Sequence, residues 1–485
     1  MFHVKQSMCH TDLVKGWGIF MAKFQFEATP LDTLQDQYDV IIIGSGSSGL
    51  VSAVQAHELG LRPVILEKMP KIGGNTTRAS SGMNAAETLV QLKHHVVDSY
   101  ADFYQETFVG GGKQNDPAML DYFASHGALA IDWLAAHGID LDDLTITGGM
   151  SVKRTHRPSS LAPIGGFLVT QLLKVVAAEK IPLFTEVTVT ELLQTAGTVN
   201  GVTIQLPTGS SRQLHAPAVI LATGGFGANP ALIAKYRPEL KDYKTTNQPG
   251  ATGDGISLAE QAGAELVDMA QIQVHPTVQQ DTPHAFLIGE AVRGEGAILV
   301  NDEGQRFVDE LTTRKAVTAA IDQLPTKHAY LILDQAVRDR VPAINFYDSV
   351  GLVQTGTTLA ALAAKLQLPA NALTTTVATW NQAVADQNDA EYGRTTGMTQ
   401  GLTTGPFYAI HIAPAVHYTM GGVKIKPTTQ VVAKTGQVIP GLYAAGEIAG
   451  GLHGNNRIGG NSIAETVVFG RQAGQQVFRY LSKLN

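Results

Sequence analysis

Apolar residues follow two periodicities along this chain, and the switches between them mark its elements. Val40–Ile43 is an unbroken run of β-branched residues, the composition of a strand buried on both faces. Leu50, Val51, Val54 and Leu59 then recur at helical spacing up to Gly60, which is placed as a C-terminal stop. A second strand is predicted over 64–66, ending at the acidic Glu67. Helical patterns with short breaks occupy 88–140, for example 119–123 and 129–136, and another helix is predicted over 168–178. Strands follow at 187–193, 199–206 and Val219–Leu221, then a helix over 256–264.

Character changes near Asp268. From there to His417 the pattern gives short strands (297–300, 329–333), helices (313–323, 359–365, 373–386) and polar loops, which reads as an inserted α+β lobe. Strand–turn–helix logic resumes at 441–447 and closes in a long helix over 462–484. The predicted fold is therefore α/β. Residues 38–267 and 418–485 form one unit, 268–417 an insertion, and 1–37 a leader of uncertain role. The apolar stretch 17–21 is too short for the core of a signal peptide, and Met21 offers an alternative start.

Gly44, Gly46 and Gly49 stand between the first strand and helix as G-x-G-x-x-G. The first glycine makes the tight turn, the second lets a pyrophosphate approach the backbone, and the third lets helix pack on strand. The helix N-terminus aims free N–H groups at the phosphates, and Glu67 lies where a carboxylate accepts from ribose hydroxyls. With 50 glycines in the chain a triplet alone is weak evidence, but the full strand–glycine–helix–strand–acid order predicts a dinucleotide site, NAD or FAD. Only one such unit is evident, so a second, nicotinamide-binding domain is not expected. The Gly/Ser/Thr/Asn-rich connection 71–86 is too polar to be core and suits either a surface loop or the wrapping of a polyol or phosphate. The small residues of 222–227 and 250–255, the latter holding Asp254 near a helix start, suit close approach of backbone to a cofactor.

Composition narrows the classes. The chain has 485 residues, 44% hydrophobic and 16% charged, as in an ordinary globular protein. Net charge −7 gives no reason to expect nucleic acid as partner, and no run approaches the roughly 18 apolar residues of a membrane span. The single cysteine, Cys9, excludes an internal disulfide, a C-x-x-C-H haem attachment and a four-thiolate cluster within this chain, and points to the cytoplasm.

Four clusters carry reactive side chains: His275 before Pro276; Glu290 and Arg293 after Gly289; Arg314 at a helix start; and His417 with Arg457. Singly, each has a plain structural explanation, as a satisfied core histidine, an ordinary ion pair or a support for glycine turns. No pair of histidines among them has metal-ligand spacing. Together, two histidines and two arginines near a dinucleotide make a site for small dicarboxylates, because arginine binds carboxylate in a planar, bidentate way.

At these residues the sequence resembles the fumarate reductase/succinate dehydrogenase flavoprotein family, above all its soluble flavocytochrome c fumarate reductases. The matching strings are GSGSSG, GGNT, SSGMNA, ATGGFG, GATGDG, VHPT, EAVRGEGA, TTR, HYTMGGV, AAGE and NRIGGNS, in this order from Tyr38 to the C-terminus. The resemblance implies a Rossmann-like FAD-binding domain with a capping domain closing over the flavin. The cofactor set it implies is Gly44, Gly46, Ser48, Gly49, Glu67, Asn75, Thr76, Ser81, Gly82, Thr223, Gly224, Asp254, Gly446, Glu447, Ser462 and Ile463. Family members that attach FAD covalently do so through a histidine in the loop matching 73–81; this chain has none there, which implies non-covalent FAD.

By the same matching, His417 and Arg457 clamp one substrate carboxylate, His275 contacts the other end, and Arg314 delivers a proton through a relay with Glu290 and Arg293. The implied reaction is reduction of an activated C=C bond, fumarate to succinate, the alternative being another 2-enoate such as urocanate, a cinnamate or an acrylate. Dehydrogenation of a ketosteroid-like ring, or a non-enzymatic flavin subunit, would not need this clamp. Two departures stand out. Gly289 replaces the family's common threonine and opens space at the distal end, beside a slightly long loop over 278–287. The haem domain, and the extra flavin domain of NADH-dependent relatives, have no counterpart in this sequence. Electrons are therefore expected from a separate reductase, free reduced flavin or a partner subunit.

Overall fold

In the computed structural model, which describes residues 24–282 and 285–484, the first strand and helix form where the apolar pattern puts them. Cys9 and the 17–21 stretch lie outside the described residues. Val40–Ile43 is buried at every position, and the helix Ser47–Glu58 starts directly after the glycine turn. Five parallel strands lie in the order Val438–Ala444, Val219–Leu221, Val40–Ile43, Pro63–Leu66 and Leu183–Phe184, with Gln430–Val432 antiparallel on the outer edge. Their continuous apolar runs follow from burial on both faces. The closing helix Asn461–Leu481 returns onto Ser47–Glu58, where Ser52 Oγ donates to Gly470 O at 3.0 Å. The two ends of the chain thereby build one cofactor-sized edge.

A second sheet is organised on the thirteen-residue strand Phe407–Thr419. Ala329–Asp334, Gln354–Gly356 and Ile272–Gln279 pair with it antiparallel, and Ile298–Val300 lies beyond Ala329–Asp334. Two hydrophobic cores result. One draws on Leu34 to Ile272 and Val416 to Leu481, the other on Ile288 to Ile412. The long strand starts in the second core and ends in the first.

Three sequence expectations change. The patterns at 119–123 and 129–136 are one helix, Pro117–Ala136, capped by Asp116. Gly127, within this helix, lies against Ala85, whose Cα would sit 3.2 Å from an added Cβ. The segment 71–86 is not wholly outside the core, since Met83, Asn84, Ala85 and Ala86 are buried. Asn84 is tolerated there because its amide donates to Gly459 O and Asn461 Oδ1 at 2.7 Å and accepts from Thr155 Oγ1 at 2.6 Å. Finally, the leader's described part is tied down. Thr29 N–H donates to Leu183 O at 2.8 Å, and Leu34 is buried. No helix among the described residues is long and apolar enough to cross a membrane.

Candidate active site

The carboxyl ends of the parallel strands open into one continuous cavity of about 2550 Å³. At Gly44 the backbone turns with φ +108°, and a Cβ would lie 2.3 Å from Ala222 O. At Gly49 a Cβ would lie 2.0 Å from Gly44 O, so this glycine allows helix and turn to touch. Gly46 differs: a Cβ there would enter open space, its nearest neighbour Thr76 Oγ1 at 3.7 Å. That bare position, at the N-terminus of Ser47–Glu58, is a cradle for an anion. Glu67 lines the cavity while its carboxylate accepts from Ser45 N–H (3.0 Å), Ser45 Oγ (2.5 Å) and Met69 N–H (2.8 Å). Those bonds fix its orientation and leave lone-pair capacity for a ribose.

Ser48, Asn75, Thr76, Ser81, Thr223, Gly224, Asp254, Glu447, Ser462 and Ile463 also line the cavity. Asp254 is paired with Lys68 at 2.6 Å. Glu447 accepts from Thr419 N–H at 3.1 Å and Asn75 Nδ2 at 3.3 Å, and burial pushes its carboxyl up. Thr223 Oγ1 is buried with no protein partner. An orphaned hydroxyl, a bare glycine cradle, a helix N-terminus and a preset acid together fit a dinucleotide. Gly49, Gly82 and Gly446 are packed against protein atoms behind the cavity lining. Gly82 is packed on His156 O, 2.5 Å from an added Cβ, and Gly446 on Ser48 Oγ, at 2.7 Å. They shape the wall from behind.

At the other end of the cavity lie all the candidate reactive residues. Strand pairing brings two of them together: Ile272–Gln279 runs against Phe407–Thr419 with Val274 opposite Val416 and His275 opposite Ala415. Bulges at Gln273/Val274 and His275/Val278 re-aim the side chains, so the His275 and His417 rings stand 5.6 Å apart at 68°. His275 Nδ1 accepts from Thr277 N–H at 3.3 Å, which puts its proton on Nε2. His417 Nδ1 pairs with Thr246 Oγ1 at 2.8 Å. Burial, reinforced by Arg314 and Arg293 for His275 and by Arg457 for His417, holds both well below the usual histidine range. Both are neutral hydrogen-bonding groups at pH 7.

Arg314 is the first residue of the helix Arg314–Asp322, where Thr313 Oγ1 accepts the cap bond from Ala316 N–H at 3.2 Å. A cation is unfavourable at this positive end of the helix dipole, so the position marks use rather than stability. Its Nε donates to Glu290 Oε1 at 2.5 Å, and Arg293 Nη2 lies 3.9 Å from the same oxygen. Arg314, Glu290 and Arg293 thus form a line. Although burial alone would raise it, the two guanidinium groups bring the Glu290 carboxyl down to about 2. Arg457 lies 4.5 Å over the Tyr418 ring. Burial, with Arg314's charge adding to it, pushes Arg457 and Arg293 down to about 10, and the Nε of each has no partner. These two buried Nε–H groups leave the site able to take an acceptor such as a carboxylate.

Some partners escaped the sequence reading. Gln273 accepts from Arg314 at 3.3 Å and donates to Arg457 O at 2.8 Å, joining the two arginines. The alternation of strand side chains could have found it, two residues before His275. Thr246 carries no such signal. Arg394, in the loop before the strand Phe407–Thr419, donates to Arg293 O at 2.6 Å and to Glu310 Oε2 at 3.0 Å. Among the described residues no cluster of three metal-ligating side chains exists.

The chain is similar to known proteins along most of its length. The family model described as FAD binding domain matches residues 39–463. The NADH:fumarate oxidoreductase of Klebsiella pneumoniae (strain 342) is 46% identical over 445 residues, 92% of this chain and 48% of that protein. The chain therefore spans about half the length of that relative. The fumarate reductase (cytochrome) of Shewanella frigidimarina is 41% identical over 462 residues, 95% of this chain and 80% of that protein. The open conformation of a flavocytochrome c3 fumarate reductase superposes with a TM-score of 0.83 at 37% identity, covering 93% of this chain and 79% of the other. The chain belongs to the fumarate reductase family of flavoproteins with an FAD binding domain.

Proposed function

We propose that the protein is an FAD-dependent reductase of the activated C=C bond of a 2-enoate, with fumarate to succinate as its reaction. The observation that carries this reading is the meeting, at one end of the cavity, of the Arg314–Glu290–Arg293 line with His275, His417 and Arg457. FAD held non-covalently in the cavity would, when reduced, supply the hydride equivalent, and the chain's own residues do the rest. Arg457 and His417 hold the carboxylate toward which negative charge grows, and fixed cations in a water-poor site stabilise that charge. The neutral His275 donates from Nε2 to the other end. Arg314 holds the proton that the second alkene carbon receives. An arginine has a pKa above about 12, so giving up a proton requires neighbouring positive charge and rapid reprotonation. Arg457 and Arg293 supply the first, and Glu290 with Arg293 the second.

A separate donor of electrons completes the reaction in this reading. The test is oxidation of dithionite-reduced viologen by the FAD-loaded protein with a panel of fumarate, acrylate, urocanate and cinnamate. Turnover with fumarate is expected. Silence with all four refutes the reading, and turnover with urocanate or cinnamate alone moves the substrate.

A further inference from the structure

We propose that Tyr347 is a specificity-determining residue whose phenol O–H binds the distal carbonyl of the substrate. The site would then take 2-enoates with one free carboxylate and a second carbonyl that is either ionised or esterified. The inference deepens, and rests on, the reading of the cavity as a 2-enoate reductase site.

The argument starts at Gly289. Its φ of −61° and ψ of 150° suit any residue, and an added Cβ would meet nothing nearer than the Tyr347 hydroxyl, at 3.6 Å. Neither backbone nor packing calls for glycine here, so what the missing side chain supplies is space, next to Glu290. Tyr347 is the far wall of that space. The helix Ala343–Ser349 anchors its ring in the second core, 7% exposed, while the residue lines the cavity. Its oxygen accepts from Gly289 N–H at 3.1 Å. The O–H proton then has no acceptor among the described residues and is free to donate to a ligand. Burial pushes the phenol up, so it keeps that proton at neutral pH.

The two ends of the site therefore ask for different things. Arg457, whose buried Nε has no partner, calls for an anion. His275 Nε2–H and Tyr347 O–H are neutral donors, which a neutral carbonyl also satisfies, though more weakly than a carboxylate does. Beyond Tyr347, Phe346 and Phe286 also line the cavity and meet edge to face, 6.0 Å apart at 69°. They offer an apolar surface for the alkyl group of an ester.

The experiment compares fumarate with monomethyl fumarate in the viologen assay. It also measures binding of succinate and monomethyl succinate to the oxidised, FAD-loaded enzyme by calorimetry, for wild type, Tyr347→Phe and Gly289→Val. Wild type is expected to reduce the ester with kcat/KM within about tenfold of fumarate. Tyr347→Phe keeps the ring in the core and is expected to raise KM and Kd for both compounds by about 3–10-fold, with kcat within about twofold. Gly289→Val is expected to lose the ester at least about tenfold more than the diacid. Unchanged KM and Kd in Tyr347→Phe, or a wild type active on fumarate and inert with the ester, overturns the inference alone. A wild type that reduces and binds none of the four compounds overturns the 2-enoate reading itself.

Discussion

Glu290→Gln isolates the relay, because glutamine keeps a carbonyl toward Arg314 Nε and removes only the charge. The fall of the Glu290 carboxyl from 4.5 to about 2 corresponds to about 3 kcal/mol in favour of the ionised form. The side chain is 36% exposed, toward the cavity, so screening leaves about half of that. Loss of about 1.5 kcal/mol, shared between Arg314 and Arg293, lowers the proton affinity of Arg293 below its already depressed level of about 10. Reprotonation of Arg314 then becomes the slow step. General acid catalysis contributes about 10²–10⁴-fold, so kcat is expected to fall at least about 100-fold, with KM for fumarate within about threefold because the clamp is untouched. The assay is steady-state oxidation of reduced viologen in H₂O and D₂O, where the variant should show the larger solvent isotope effect. A variant retaining more than about a tenth of wild-type kcat, with an unchanged isotope effect, refutes the relay.

Four further outcomes follow from the geometry. Arg314→Ala should cut kcat about 10³-fold and still purify yellow, with full FAD content by absorbance; substantial turnover would remove Arg314 from proton delivery. Thr246→Val releases the His417 Nδ1 contact at 2.8 Å and should raise KM for fumarate about 3–10-fold at unchanged FAD content, so wild-type kinetics would show that the tautomer is set otherwise. Acid precipitation should leave all flavin in the supernatant; flavin fluorescence in the washed pellet would show a covalent link. His275 and His417 are held well below the ordinary histidine value, and burial lowers His156 to about 4. The unfolded chain takes up these protons first, so stability present above about pH 6.5 is lost as pH falls. His156 alone costs about 2 kcal/mol at pH 5, and a Tm that does not drop between pH 7 and pH 5 would contradict its neutral state.

The cofactor end of the cavity was legible because its parts are local. Strand, glycine turn, helix, strand and acid follow one another within Val40 to Glu67, and each signal depends on neighbours a few residues away. Even there, sequence could not tell a glycine that faces the cavity from one that supports the wall. Gly46 and Gly82 read alike as letters. They differ only in whether an added Cβ meets open space or His156 O, and that depends on a strand far along the chain.

The reacting end was legible as residue types and hidden as geometry, and the strand Phe407–Thr419 explains why. Its stretch IHIAPAVHYT carries a proline and two histidines, which weakens the strand signal, and its partners are Ile272–Gln279, Ala329–Asp334 and Lys244–Thr245, all distant in sequence. Pairing across such distances is set by which faces can be buried together, and no local pattern reports it. Yet that pairing does the chemistry's positioning. It sets His275 beside His417, lays Thr246 against the His417 ring, and brings Gln273 to both Arg314 and Arg457. Because the strand is shared by both cores, a shift of one core against the other moves His417 relative to Arg314 and Glu290. His417 and Arg457 lie beside the first core and Glu290, Arg293 and Arg314 beside the second, so in the proposed mechanism carboxylate clamp and proton donor meet only when the two cores are in register.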